Sequence, residues 1–346
     1  MNPKKILIFR FSALGDVAMT IPVISDLRRN YPSCEILFVS RPFAKDLVGS
    51  IEGVKFLSVD FKSEYKGFGG IVKLFSELNK YGKWDLVADL HNVLRTKILV
   101  FLFRLRGIKC VSIDKGRKEK KALCKRSGKI FKPLLTTVER YRAVFEKGGF
   151  PFALSKFSGK EIYDTGKSEL AKELAAIETP KIGIAPFAKH IWKMWSESKM
   201  INLISTLEKQ NINIYLFGGK GEEAEKLSEW AAISSKVHNL AGKLSMKEEL
   251  EVMSKLDLMI SMDSANMHLA SLVETPVISI WGATHPYAGF YGFGQSEGNA
   301  VQTEIKCRPC SIYGNKPCYR GDFACMNNIT EDMVIEKVGR QLGIKN

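Results

Sequence analysis

The 346-residue sequence contains no apolar run approaching the roughly 18 residues that a membrane span requires. Its longest candidates, such as residues 98–103, are bounded by Lys97 and Arg104, so the chain is expected not to cross a bilayer. Arg10 interrupts the apolar stretch near the start before the core of a signal peptide is complete, and a cytoplasmic protein is expected. No strand-like segment is followed by Gly-x-Gly-x-x-Gly and an acidic residue about 20 positions on, which disfavours a nicotinamide oxidoreductase. Stacked aromatics and RNA-binding signatures are also missing, and nucleic acid is not expected as a partner. No histidine motif lies beside Cys310 to make a nucleophile pair.

Acid is scarce in the first half. Residues 1–150 hold 30 Lys and Arg against 14 Asp and Glu, whereas residues 151–346 hold 22 against 23. The formal surplus of +15 therefore lies in the first half, which reads as a surface built to meet something anionic: nucleic acid, an anionic membrane face or a phosphorylated acceptor.

What is present is an alternation of apolar, β-branched runs with segments of helical periodicity. Strands are expected at residues 5–9, 35–40, 83–90 and 109–114, then at 181–188, 213–219, 257–262 and 276–282. Helices are expected between them, which implies parallel sheets covered on both faces. The length exceeds what one core usually serves. The fold class expected is α/β of GT-B architecture, two Rossmann-like doubly wound domains facing across a cleft. They are placed at residues 1–160 and 161–346, with the C-terminal helix, capped by Thr330, free to pack back toward the first. Residues 115–132, dense in Lys and Arg, are expected to be mobile and solvated.

Three strand-to-helix junctions carry candidate chemistry: RFSALGD at 10–16, FGGKGEE at 217–223 and SMDSANMHLA at 261–270. Asp16 follows Gly15 at a helix start, where it serves either as a cap or as a base facing the ligand crevice; the residues alone leave both open. Glu222 and Glu223 suit a helix dipole. The start of the helix after Ser264 offers backbone N–H groups to an anion such as a pyrophosphate. Lys193 would be an ordinary surface lysine unless a diphosphate lies near it. Asp89, His91, Asn92 and Arg95 follow a strand and form either a solvated loop or acceptor contacts. The spacing C-x2-C-x7-C-x6-C of Cys307, Cys310, Cys318 and Cys325 would in isolation suggest structural zinc.

The segments ILIFRFSALGDVAMTIPVISDLRRNYP, IWKMWS and LAGKLSMKEELEVMSKLDLMISMDSANMHLASLVETPVISIWGATHP resemble the ADP-heptose:lipopolysaccharide heptosyltransferases, glycosyltransferase family 9. The resemblance runs from residue 4 to about residue 340 and is tightest at the two ends. It implies inverting transfer of heptose from an ADP-sugar donor to a hydroxyl of the lipopolysaccharide inner core, with Asp16 as general base and Lys193 against the diphosphate. It further implies that Glu222, in preference to Glu223, holds the ribose, and that Asp263, Ser264, Ala265 and His268 hold the donor; Ala265 replaces the family's usual Gly. Acceptor contacts are implied for Ser12, Arg41, Arg95, Lys115 and Arg117. The expected partners are the donor, an anionic lipid-linked saccharide and, peripherally, the inner face of the inner membrane. A cysteine-bearing C-x-P-C loop occurs in part of the family, so no metal or other cofactor is expected to serve the transfer. Alternatives are a family 9 enzyme with another donor or acceptor, and a basic RNA- or membrane-surface-binding protein on a Rossmann-like scaffold.

Overall fold

The computed structural model describes residues 3–344. Strand β1 (Lys5–Phe9) reads KILIF, and Ile6 to Phe9 are fully buried. A strand covered on both faces is apolar at successive positions instead of alternating, which is why it is visible as a run. Around it lie β2 (Glu35–Ser40), β3 (Val54–Ser58), β4 (Leu86–Asp89) and β5 (Cys110–Ser112), all parallel, in the order β3-β2-β1-β4-β5. Ile6 stands opposite Ile36 on one side and Leu86 on the other.

The second sheet contains β6 (Lys181–Ala185), β7 (Asn213–Leu216), β8 (Val237–Asn239), β9 (Leu258–Met262), β10 (Val277–Trp281) and β11 (Ala300–Gln302). It too is parallel throughout, in the order β11-β10-β9-β6-β7-β8. Both sheets are doubly wound, with the strand order reversing between β1 and β4 and between β6 and β9. At such switch points the loops at the carboxyl ends of neighbouring strands diverge and leave a crevice. The strands β3, β8 and β11 escape the sequence reading. Two have only three residues, and β3 lies at its sheet's edge with one buried position, Val54, so none shows a marked apolar run.

The chain divides into two compact units, residues 1–115 with 137–156, and residues 116–136 with 157–346. The stretch 116–136 therefore belongs with the second unit, and its eight Lys and Arg against one Glu move part of the first half's positive surplus there. It is also ordered differently from the mobile segment expected of it. Residues Arg117–Leu123 are helical, and Lys120 is buried 4.1 Å from the ring centroid of Phe290. Lys129 Nζ donates among the carbonyl oxygens of Lys306, Cys307, Arg308 and Pro309 at 2.7–3.3 Å. Four carbonyls satisfy the ammonium as water would, so these cations serve packing as well as surface charge. The C-terminal helix Glu331–Leu342, for which a return toward the first domain is one expectation, buries Val334 and Val338 in the second unit's core. Thr330 does cap it, accepting from Met333 N. No helix among the described residues is long and apolar enough to cross a membrane.

In the first unit the returning segment 137–156 is fastened by the buried Asp26 of the helix Ile21–Asn30. Its carboxylate accepts from Ser155 N at 2.9 Å, Ser155 Oγ at 2.6 Å and Arg29 Nη1 at 2.9 Å. Asp26→Ala removes charge-assisted bonds and leaves the Ser155 amide without its acceptor. The expected loss is about 1.5–3 kcal/mol, read as a lower urea midpoint; an unchanged midpoint would contradict this role.

Candidate active site

In the first unit the chain leaves β1 through Arg10, which is buried. Its Nη1 donates to Leu90 O at 2.8 Å and its Nη2 meets Asp16 Oδ2 at 2.6 Å. Burial works against the guanidinium charge, but Tyr141, Asp16 and Asp89 outweigh it and the Arg10 pKa is raised. Asp16 is not the cap of its helix. The helix Leu14–Ala18 starts after Ala13, and Asp16 reaches back from the third position to accept from Ala13 N at 3.2 Å. Both bonds fall on Oδ2, so Oδ1 is engaged by no described residue and the side chain stays 29% exposed. The result is a carboxylate held in place on one oxygen and available on the other.

The last residue of β4 and the loop after it divide between scaffold and surface. Asp89 is fully buried and accepts from His91 N, Asn92 N and Ser112 Oγ, at 2.9, 2.8 and 3.2 Å, so it shapes the turn. Asn92 donates to Ile113 O at 2.9 Å. His91 accepts from Phe11 N at 3.4 Å, and burial, then the nearby Arg10 and Lys115, push its pKa down to about 3. It is a neutral ring at physiological pH. Arg95 is exposed, 5.0 Å from the ring centroid of Phe61, and Arg41 after β2 is exposed, 5.8 Å from that of Phe43. Ser12 and Lys115 are half-buried in the loops after β1 and β5. Asp16, Ser12, Arg41, Arg95 and Lys115 thus occupy loops or helix starts following the carboxyl ends of one sheet's strands. Arg117, two residues after Lys115, begins the helix assigned to the second unit.

In the second unit, Lys193 closes a short 3-10 turn, Ile191–Lys193, after β6, and Asp263 follows β9. These are the two strands of the switch point, and the pair meets there, Nζ to Oδ2 at 2.9 Å, with side chains only 15% and 8% exposed. A Cβ on Gly314 would lie 2.2 Å from Lys193 Cγ, and its φ is +68°, so glycine is required for the 303–328 loop to cover the lysine stem. Ser264 precedes the helix Ala265–Leu272 but makes no side-chain cap; its Oγ lies 3.2 Å from Ser261 Oγ. The first amides of that helix therefore have no side-chain cap, an arrangement that suits an anion. Ala265 is half-buried there, and His268 is buried one turn on.

Glu222 and Glu223 start the helix Glu222–Ala231 and part company at once. Glu223 Oε2 accepts from Gly219 N at 2.7 Å and holds its own loop, whereas Glu222 is exposed and its carboxylate takes no hydrogen bond among the described residues. Cys307, Cys310, Cys318 and Cys325 line one small cavity with Trp192 and Phe323. All are free thiols; burial pushes Cys310 up and Cys325 up to about 12, and no group of three or more metal-ligating side chains among the described residues is arranged to hold an ion. Arg10 is the site residue that the sequence reading passes over. Its signal is an arginine placed directly after an unbroken apolar strand, where a charge must be paired.

The sequence pattern of glycosyltransferase family 9 (heptosyltransferase) matches residues 71–316. A lipopolysaccharide core heptosyltransferase, OpsX of Haemophilus influenzae, is 25% identical over 294 residues, 82% of this chain and 80% of its own. Among solved structures, a family 9 glycosyl transferase from Veillonella parvula superposes with a TM-score of 0.76 at 19% identity, covering 100% of this chain and 99% of its own. The E. coli heptosyltransferase WaaC, solved with ADP-2-deoxy-2-fluoro heptose, gives 0.67 at 18% identity, covering 97% and 99%. The two Rossmann-like α/β domains expected from the sequence are the fold these structures share with it. With the family pattern spanning more than half of its residues, the chain belongs to glycosyltransferase family 9, the heptosyltransferase family.

Proposed function

We propose that this glycosyltransferase moves heptose from ADP-heptose to a hydroxyl of the lipopolysaccharide inner core, with inversion at the anomeric carbon. The second unit takes the donor and the first takes the anionic, lipid-linked acceptor, so the protein works in the cytoplasm against the inner face of the inner membrane. The observation that carries this reading is the placement of one ion pair at each sheet's switch point, Arg10–Asp16 and Lys193–Asp263. The relative solved with an ADP-heptose analogue supports the donor, and the relative named for the lipopolysaccharide core supports the acceptor.

In the proposed reaction the acceptor oxygen bonds to the anomeric carbon as the bond from that carbon to the diphosphate oxygen breaks. The acceptor's proton passes to Asp16, whose Oδ1 is the available oxygen, while Arg10 fixes Oδ2. ADP departs with the bonding electrons, and the charge it gains is met by Lys193 and the helix amides after Ser264. Asp263 orients Lys193, and Glu222 holds the ribose hydroxyls. Ser12, Arg41, Arg95 and Lys115 supply hydrogen bonds and positive charge to the acceptor. His268 and Ala265 line the donor's side.

The test is a donor screen on a lipid-linked inner-core acceptor, read by mass spectrometry. ADP-heptose is expected to add one heptose. Transfer from another sugar nucleotide in preference, with none from ADP-heptose, would overturn the proposed donor.

Two substitutions separate ligand contacts from scaffold. Lys193→Met keeps the stem that packs on Gly314 and should lower ADP affinity and turnover, the latter by about 10²-fold or more. Glu222→Ala should weaken ADP binding with an unchanged melting temperature, whereas Glu223→Ala should lower the melting temperature by releasing the Gly219 amide. Calorimetry with ADP beside thermal melting checks both, and identical behaviour of the two glutamate variants would contradict the division between them.

A further inference from the structure

We infer that the outer face of two first-unit helices, Gly67–Asn79 and Leu94–Leu105, docks on an anionic lipid surface. The inference deepens the proposed action on a lipid-linked acceptor and assigns the contact to a definite place. Among the described residues, four of the five most exposed large hydrophobic side chains lie on these helices: Phe68, Leu94, Phe101 and Leu105, each at least 60% exposed. Val72, one turn after Phe68, is exposed as well. The helices are neighbours, packed through Phe75 on Phe103 at 4.8 Å between ring centroids.

Helical geometry puts the three exposed residues of the second helix on one stripe. At about 100° per residue, positions 94, 101 and 105 fall within about 40° of arc. The buried Thr96, Leu99, Val100 and Phe103 lie on the opposite side, facing the core. The helix thus has its ordinary buried face and a second apolar face that the first unit does not cover. Surface hydrophobics scattered singly need no explanation, but an aligned set on adjacent helices marks an interaction surface.

Charge decides the occupant. On the helical projection Lys97 and Arg104 flank the stripe on one side and Arg95 and Arg106 on the other, and no acidic residue occurs between His91 and Ile113. Apolar side chains rimmed by cations match the boundary between acyl chains and anionic headgroups. A second copy docked about a two-fold axis would set these cations against their own images, which disfavours self-association. Because Leu94 begins its helix immediately after the loop of His91, lipid on this face would bring an acceptor's membrane end toward the strand ends of the first sheet.

The test uses the whole chain without donor or acceptor, so it does not depend on transfer activity. Co-sedimentation with vesicles of mixed phosphatidylglycerol and phosphatidylcholine should pellet the protein, and pure phosphatidylcholine vesicles should not. Phe101→Ser with Leu105→Ser, and separately Lys97→Gln with Arg106→Gln, should each lower the partition coefficient by on the order of tenfold, with the melting temperature and ADP affinity unchanged. A wild-type chain that ignores the anionic vesicles, or variants that bind them as well as it does, would overturn the inference. So would a wild-type dimer that the Phe101 and Leu105 substitutions convert to monomer, since it would give the face to a second copy. Vesicle binding without heptose transfer would instead sink the proposed function and leave this surface standing.

Discussion

A parallel sheet covered by helices on both faces leaves no place for charge along its strands. Polar groups that must approach a ligand are confined to the carboxyl-end loops, and the reversal of strand order determines where those loops part. In this protein the charged residues within the strands stand at strand ends, as Lys5, Glu35, Asp89 and Lys181 do, or, as with Lys55, on the edge strand β3. β1 is buried from Ile6 to Phe9 and gives way to Arg10, and β9 is buried throughout and gives way to Asp263. The chemistry-bearing residues follow from where the apolar runs stop.

At each switch point the structure retains a charged pair at the edge of an apolar core. Such pairs are costly to desolvate, and replacing them with packed hydrophobics is often neutral or stabilising. Stability alone does not account for Lys193–Asp263, with both side chains largely buried, or for the buried Arg10 against a partly exposed Asp16. The proposed ligand-facing role would. In each pair one member immobilises the other: Arg10 fixes one oxygen of Asp16, and Asp263 aims the Lys193 ammonium. The neutral His91 beside Arg10 adds no further positive charge to that group.

Most of the strands and the two-domain plan were legible because long buried strands write themselves as apolar runs. The short strands β8 and β11 and the edge strand β3 were not, since residues that pack on one face or span three positions leave no period to read. The candidate site was legible where a residue type stands in the junction that follows such a run, as with Asp16 and Asp263, and where a motif supplies the family resemblance, as with Lys193. Three things needed coordinates. The choice of Glu223 for the Gly219 amide is a matter of rotamer and distance. Assignment of residues 116–136 to the second unit depends on Lys129 finding four carbonyls far away in sequence. The apolar stripe of Leu94, Phe101 and Leu105 is invisible to a reading that treats every apolar position of a helix as core.

Asp16 is proposed as the base, and not merely as a brace for its helix start, because one of its oxygens is held and the other is available. Asp16→Asn keeps size and an acceptor oxygen for the Ala13 amide while removing basicity. The decisive measurement is kcat of this variant on the lipid-linked acceptor, beside its ADP affinity. If Asp16 is the base, kcat should fall by about 10²- to 10⁴-fold with ADP binding nearly intact. A folded, ADP-binding Asp16→Asn protein with near-normal kcat would contradict it.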